Sequence, residues 1–223
     1  MYKYLKRIFD IILAIMTLII FIIPMTFIAI AIKIESKGPV LFKQLRTGYK
    51  GKNFYLYKFR SMSNENNVMD FNSENKITKI GKLIRTTSLD ELPQIINVLK
   101  GEMSFIGPRP WIPEYYKYFT KVQKKRVEVL PGITGLAQAL GRNTLEIFEK
   151  INLDIKYVNE YSFIEDLKVI YWTFKTVFSK EGAEIGKFGI KSELDDLKDN
   201  FLSVTVSSSK IEKKIIENYI KEG

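Results

Sequence analysis

From Ile11 to Ile32 the chain is almost unbroken apolar sequence, with Pro24 near the middle and basic residues at both ends. That length matches the roughly 20 residues a helix needs to cross a bilayer core. Lys3, Lys6 and Arg7 precede the run, and Lys33, Lys37, Lys43 and Arg46 follow it. Because Lys and Arg concentrate on the cytoplasmic side of membrane segments, two basic flanks predict a helix that enters, bends and returns to one face. Pro24 is the natural bend, since proline removes a backbone donor and crowds the preceding turn. Three alternatives stay open at this point. One is a plain spanning anchor. The second is a signal peptide cleaved near Ala29-Ile30-Ala31, although the apolar run is long for such a segment. The third is a buried core helix, which would need a larger domain around it than this chain readily supplies.

Beyond the run the pattern breaks into short pieces. Lys37-Gly38-Pro39 marks a turn, and Val40 to Met62 reads as short strands interrupted by Gly48 and Gly51. Ser63 to Asn75 is polar and predicts a loop. Lys79 to Arg85 predicts a short amphipathic helix, and Pro93 to Lys100 another, stopped by Gly101. Gly107 to Pro113 carries three prolines and predicts a stiff loop. Glu114 to Val129 has helical periodicity. Pro131 to Arg142 reads as a second loop, and Leu145 to Phe178 as one long helical pattern with Phe163, Leu167, Ile170, Phe174 and Phe178 at helical spacing. The sequence after Lys180 is polar and charged, which predicts no part in the core.

Composition narrows the chemistry. The 223 residues support one membrane element and one domain of ordinary size. A formal charge of +10 favours anionic partners, first of all lipid headgroups and phosphates. There is no cysteine and no histidine, so thiol nucleophiles, disulfides, zinc sites and imidazole bases are all excluded. What remains is carboxylate, Lys, Arg, Tyr and Ser chemistry with a hard cation such as Mg2+, a set suited to phosphoryl transfer.

Two constellations carry that chemistry. In Ser88-Leu89-Asp90-Glu91-Leu92-Pro93-Gln94, Ser88 and Glu91 have capping-box spacing. With Pro93 at the first helical position instead, Asp90 and Glu91 stand just before a helix start, where adjacent carboxylates can act as nucleophile and metal ligand. In Gly107-Pro108-Arg109-Pro110 an arginine sits between two prolines, a stiff mount for bidentate phosphate binding. Lys58, Arg60 and Arg85 are further phosphate candidates, each with a plain surface-charge alternative.

Taken in order, several segments resemble one family. They are Lys6-Arg7-Ile8-Phe9-Asp10, Ser36-Lys37-Gly38-Pro39-Val40, Tyr57-Lys58-Phe59-Arg60-Ser61-Met62, Asp90-Glu91-Leu92-Pro93-Gln94, and Met103 to Pro110. Pro131-Gly132-Ile133-Thr134-Gly135 and Gly141-Arg142-Asn143 complete the set. The chain resembles a bacterial sugar transferase, a small monotopic polyprenyl-phosphate phosphoglycosyl transferase, over about Lys3 to Glu181. The resemblance implies an α+β, predominantly helical fold. Its expected parts are a re-entrant membrane helix (1–36), a cytosolic catalytic domain with short strands and membrane-surface amphipathic helices (37–186), and a polar tail of unassigned role (187–223).

It further implies that Asp90 attacks a UDP-sugar, releases UMP and holds a covalent phosphosugar, which polyprenyl phosphate then takes over. Glu91 is its acidic partner, Asp90 and Glu91 hold Mg2+, and Lys58, Arg85 and Arg109 surround the phosphates, with Arg60 a further phosphate candidate by its chemistry alone. The implied location is the cytoplasmic face of the bacterial inner membrane, with anionic lipids and no nucleic acid as partners; a homodimer is left open. Ile23 stands where the family often has serine before the helix-breaking proline, and the tail has no counterpart. The competing class is a non-catalytic, membrane-bound basic scaffold for anionic lipid or nucleic acid, in which Asp90 and Glu91 only cap a helix.

Overall fold

The computed structural model describes residues 1–63, 77–141, 144–179, 192–201 and 203. Most of the polar loop expected between Ser63 and Asn75, together with Arg142 and Asn143, lies outside the described residues. The architecture is mostly helical with short strands, led by one long apolar helix.

That helix, α1 (Tyr2–Glu35), runs for 34 residues with Pro24 inside it. Apart from Lys6, Asp10, Ala14 and Ile32, it buries almost nothing, and large apolar side chains such as Ile19, Ile20, Ile23 and Phe27 stand exposed. It is long and apolar enough to cross a membrane. One face of it touches the domain along much of its length, with Ala14 and Leu18 packed on the cluster of Phe54, Leu56, Ile95, Val98 and Met103. At the N-terminal end Lys6 pairs with Asp166, and Asp10 accepts bonds from Ser104 Oγ (3.0 Å) and the Phe105 N–H (3.1 Å). Arg7 donates to the carbonyls of Val98 and Leu99. At the other end Ile32, with Met25, Ile28 and Ala29, packs on Phe59 and Ile84.

The expected short strands are β1 (Leu41–Thr47) and β2 (Asn53–Phe59), and the structure pairs them as an antiparallel hairpin in the register Leu41↔Phe59 to Thr47↔Asn53. Phe54 and Leu56 point into a core with Ile95, Val98 and Met103. Helix α2 (Lys79–Thr86) starts where Thr78 accepts a bond from the Gly81 N–H. A 3-10 turn (Leu89–Gln94) leads into α3 (Ile95–Lys100), which ends at Gly101 in the left-handed conformation. The helix expected from Pro93 thus begins two residues later.

Two further expectations are corrected here. The stretch read as loop from Pro131 contains β4 (Gly132–Thr134), paired in parallel with β3 (Ser104–Ile106), and α5 (Leu136–Leu140). A Cβ at Gly132 would lie 2.1 Å from Gly107 N, and one at Gly107 would lie 2.3 Å from Leu130 O, so this contact demands glycine on both sides. The stretch read as one helix from Glu114 divides into α4 (Pro113–Lys117) and a 3-10 turn (Gln123–Val127), because Phe119 between them turns inward and is buried.

The long C-terminal pattern likewise divides into α6 (Ile147–Asn159) and α7 (Phe163–Ser179). Tyr157 and Val169 face the core, whereas Phe163, Ile164, Leu167, Ile170, Tyr171 and Phe174 form an exposed apolar stripe along α7. The absence of a core role after Lys180 is also corrected. Residues 192–201 are helical, and Leu197 is fully buried against Trp111, Ile112, Tyr115, Phe119, Ile147 and Ile151. Glu193 accepts from Tyr115 Oη at 2.9 Å and pairs with Lys150 Nζ at 2.7 Å. The signal was present in the sequence, since Leu194, Leu197 and Phe201 stand at i, i+3 and i+7, but the surrounding charge masked it.

Candidate active site

The turn that carries Asp90 and Glu91 is set up by one backbone conformation. Ser88 lies at φ 56° and ψ 16°, left-handed for a residue with a side chain. It ends the path of α2 and swings the chain into the 3-10 turn, with both acids in its first turn. Leu89 and Leu92 anchor the turn in the apolar core. Ser88 makes no side-chain cap, so the capping-box reading fails, and Glu91 is free to point elsewhere.

It points at cations. Glu91 Oε1 lies 2.6 Å from Lys58 Nζ and 3.4 Å from Arg109 Nη2. Lys58 comes from β2 and also lies 3.8 Å from Asp90 Oδ2. Burial alone would raise the Glu91 pKa, but Arg109 and Lys58 together outweigh it and pull it down to about 2. Asp90 behaves in the opposite way. Its burial dominates and lifts it above the usual carboxylate range, opposed by Lys58, reinforced by the Glu91 charge, and opposed again by Arg85. Two neighbouring carboxylates are thus driven apart, one fixed as an anion in a cationic clasp and the other left the stronger base.

Of the residues singled out from sequence, Lys58, Asp90, Glu91 and Arg109 meet directly. Arg85 is exposed at the end of α2 and reaches Asp90 only through its field. Arg60 is placed elsewhere. Its guanidinium is buried and donates to Lys37 O, Ser36 O and Ser36 Oγ, bracing the exit of α1 in place of the expected phosphate contact.

Several supporting residues carried no signal of their own. Asn97, fully buried in α3, accepts from the Tyr57 N–H and donates to Tyr55 O, so it fastens β2, and with it Lys58, to the helix behind the acid pair. The Arg109 loop is held through three successive carbonyls. Arg126 Nη2 donates to Arg109 O at 2.7 Å, Arg46 Nη1 to Pro110 O at 3.2 Å, and the Thr47 N–H to Trp111 O at 2.8 Å. Arg126 is itself buried, bonded to Asp154 Oδ2 through Nε and Nη2, and stacked 4.2 Å over the Trp111 ring. For Asn97 the available clue was a polar residue inside the apolar stretch Ile95-Ile96-Asn97-Val98-Leu99, whereas Arg126 follows Lys124-Lys125 and only its tertiary contacts set it apart.

No group of three or more His, Cys, Asp or Glu converges among the described residues. The donor set of the site is two adjacent carboxylates, all hard oxygen. That fits Mg2+, which commonly binds one or two carboxylates and completes its shell with phosphate and water.

A helix long and apolar enough to cross a membrane is docked on a domain whose cation-clasped acid pair works without histidine or cysteine. The family model for bacterial sugar transferases matches residues 1–180, and the chain belongs to that family. It is 43% identical over 182 residues to the uncharacterized sugar transferase EpsL of Bacillus subtilis, covering 81% of this chain and 90% of that one. It is 42% identical over 203 residues to the galactosyl transferase CpsE of Streptococcus agalactiae, covering 82% of this chain and 45% of the relative. Over 188 residues it is 44% identical to the UDP-glucose:undecaprenyl-phosphate glucose-1-phosphate transferase of Klebsiella pneumoniae, covering 78% and 40% respectively. The chain therefore spans most of EpsL and under half of the other two.

Proposed function

We propose that the protein moves a phosphosugar from a UDP-sugar to a polyprenyl phosphate and releases UMP. The observation that carries this reading is the divided acid pair. Glu91 is neutralised by Lys58 and Arg109, while Asp90 keeps a raised basicity and a single longer contact to Lys58. An oxygen of Asp90 attacks the sugar-bearing phosphorus. The bond from that phosphorus to the bridging oxygen breaks, its electron pair leaves with UMP, and an aspartyl phosphosugar remains. Polyprenyl phosphate then attacks the same phosphorus, the acyl-phosphate bond breaks, and the Asp90 carboxylate returns. No proton need move in either step, which suits a site without histidine. Asp90 and Glu91 would hold Mg2+, whose charge offsets that of the diphosphate. The UDP-glucose and undecaprenyl phosphate in the name of the Klebsiella relative support the substrate classes.

The proposed membrane arrangement is supported by α1. The same domain grips it through Lys6, Arg7 and Asp10 near one end, Ala14 and Leu18 further along and Ile32 near the other, leaving the apolar face of Ile19, Ile20, Ile23 and Phe27 exposed for lipid. A domain on one side of the bilayer holds both ends only if the helix enters and leaves by that side. This supports a re-entrant helix on the cytoplasmic face of the inner membrane, with the α7 stripe resting on the anionic lipid surface. A non-catalytic scaffold would have no use for a half-buried acid pair whose basicities are driven apart.

The test is direct. Purified protein is incubated with each of a panel of UDP-sugars and weighed intact. An added phosphosugar, with UMP in solution, is expected for the wild type and not for Asp90→Asn. An adduct that persists in Asp90→Asn would overturn the assignment.

A further inference from the structure

Arg46 was noticed in the sequence only as one of the basic residues flanking the membrane run. In the fold it occupies a different environment. The β1–β2 register pairs Arg46 with Phe54, Gln44 with Leu56 and Phe42 with Lys58. Directly opposed residues share a face of the sheet, so Arg46 stands on the face that presents Lys58 to the acid pair. One of its terminal nitrogens donates to Pro110 O, the residue after Arg109, and the other to Gln44 Oε1 at 2.5 Å. Its Nε is buried with no bonding partner. No carboxylate lies within ion-pair distance of Arg46 among the described residues, whereas Lys58, Arg109 and Arg126 each have one.

A guanidinium removed from water without an acid beside it is costly unless an anion completes the site. Burial, and then the neighbouring charge of Arg109, draw the Arg46 pKa down to about 10. The two guanidinium groups therefore repel each other in the resting protein. An anion shared between them would relieve that repulsion, and the site is the one where a diphosphate is proposed to bind.

We infer that Arg46 is a substrate-binding residue that, with Arg109, holds the phosphate departing as UMP. The inference rests on the proposed transfer, and the chemistry explains why a cation is needed on that side. A UDP-sugar carries two negative charges and the Asp90 carboxylate one. After attack, the aspartyl phosphosugar keeps one and UMP leaves with two. Negative charge thus moves off the nucleophile and builds on the leaving phosphate. Lys58 lies within 3.8 Å of the nucleophile Asp90, whereas Arg46 bonds the Arg109 loop at Pro110 O, which assigns it in this proposal to the leaving phosphate.

Arg46 also props that loop through Pro110 O, so the experiment must separate charge from propping. Arg46→Gln retains an N–H donor for Pro110 O but carries no charge, and Arg46→Lys retains charge without the fork. Binding of UMP alone is measured by calorimetry on purified full-length protein in nanodiscs. The rate of adduct formation with the UDP-sugar accepted by the wild type is measured alongside. Arg46→Gln is expected to weaken UMP binding at least tenfold and to slow adduct formation, with a melting temperature near wild type. Arg46→Lys is expected to recover part of both. Wild-type UMP binding and adduct rate in Arg46→Gln would overturn the inference and leave Arg46 a loop prop. Equal loss in Gln and Lys, with a fall in melting temperature, would also overturn it. A wild type that forms no adduct with any UDP-sugar overturns the parent reading instead, a distinguishable result.

Discussion

Arg126 donates to the main-chain oxygen of Arg109 at 2.7 Å, so the guanidinium that meets Glu91 hangs from a backbone held by a second, buried guanidinium. Asp154 neutralises Arg126 and Trp111 stacks on it, so it adds little net charge to the site. Its contribution is to the direction in which Arg109 points.

That relationship predicts non-additivity. Arg126→Lys keeps the charge beside Asp154 but loses the fork that reaches Arg109 O. Adduct formation should slow about tenfold, a coupling within the 0.5–3 kcal/mol found for residues acting through one another. In an Arg109→Ala background the same change should cost almost nothing more. Rates that multiply independently in the double variant would show that Arg126 does not act through Arg109. Melting curves of all three proteins separate this from simple unfolding.

The acid limb of the reaction should respond to Arg85. A protonated Asp90 cannot attack, so the rate falls as pH drops through its pKa, which burial holds above the usual carboxylate range. The Arg85 charge works against that rise. Arg85→Gln should therefore move the acid limb of adduct formation to higher pH. Because Arg85 is exposed, the shift should shrink at high ionic strength. A pH–rate profile that stays in place, or moves to lower pH, contradicts the assignment of that limb to Asp90.

Leu197 tests whether the helical segment 192–201 belongs to the core. It is fully buried among Trp111, Tyr115 and Phe119. Leu197→Ala should cost about 2–5 kcal/mol, the range for emptying a well-packed leucine site. Thermal or denaturant unfolding of the purified protein reads this directly. Unchanged stability would mean the segment is not docked.

Topology can be probed with single cysteines, since the chain has none of its own. Lys3 and Lys37 are both exposed and stand at opposite ends of α1. In Lys3→Cys and Lys37→Cys, a membrane-impermeant thiol reagent should leave both unlabelled in intact cells and label both after lysis. Labelling of Lys3→Cys alone in intact cells would establish a spanning helix and remove the re-entrant reading.

The elements legible in the sequence were those whose signal is local. The apolar run, the strands β1 and β2, the α2 helix and the candidacy of Asp90, Glu91 and Arg109 each rest on neighbouring residues, through length, glycine breaks, amphipathic spacing or rigid prolines. The absence of histidine and cysteine likewise limited the reaction before any fold was known. Tertiary structure decided what depends on partners distant along the chain. It sent Arg60 to the end of α1, turned Glu91 from a cap toward Lys58 and Arg109, and split the α6–α7 pattern at residues that face different surroundings. It also gave Leu197 a core and Arg46 a place beside the site. Composition shows that a residue is charged or apolar. Whether the charge is paired or the apolar surface covered depends on contacts spanning dozens of residues, and no local pattern encodes those.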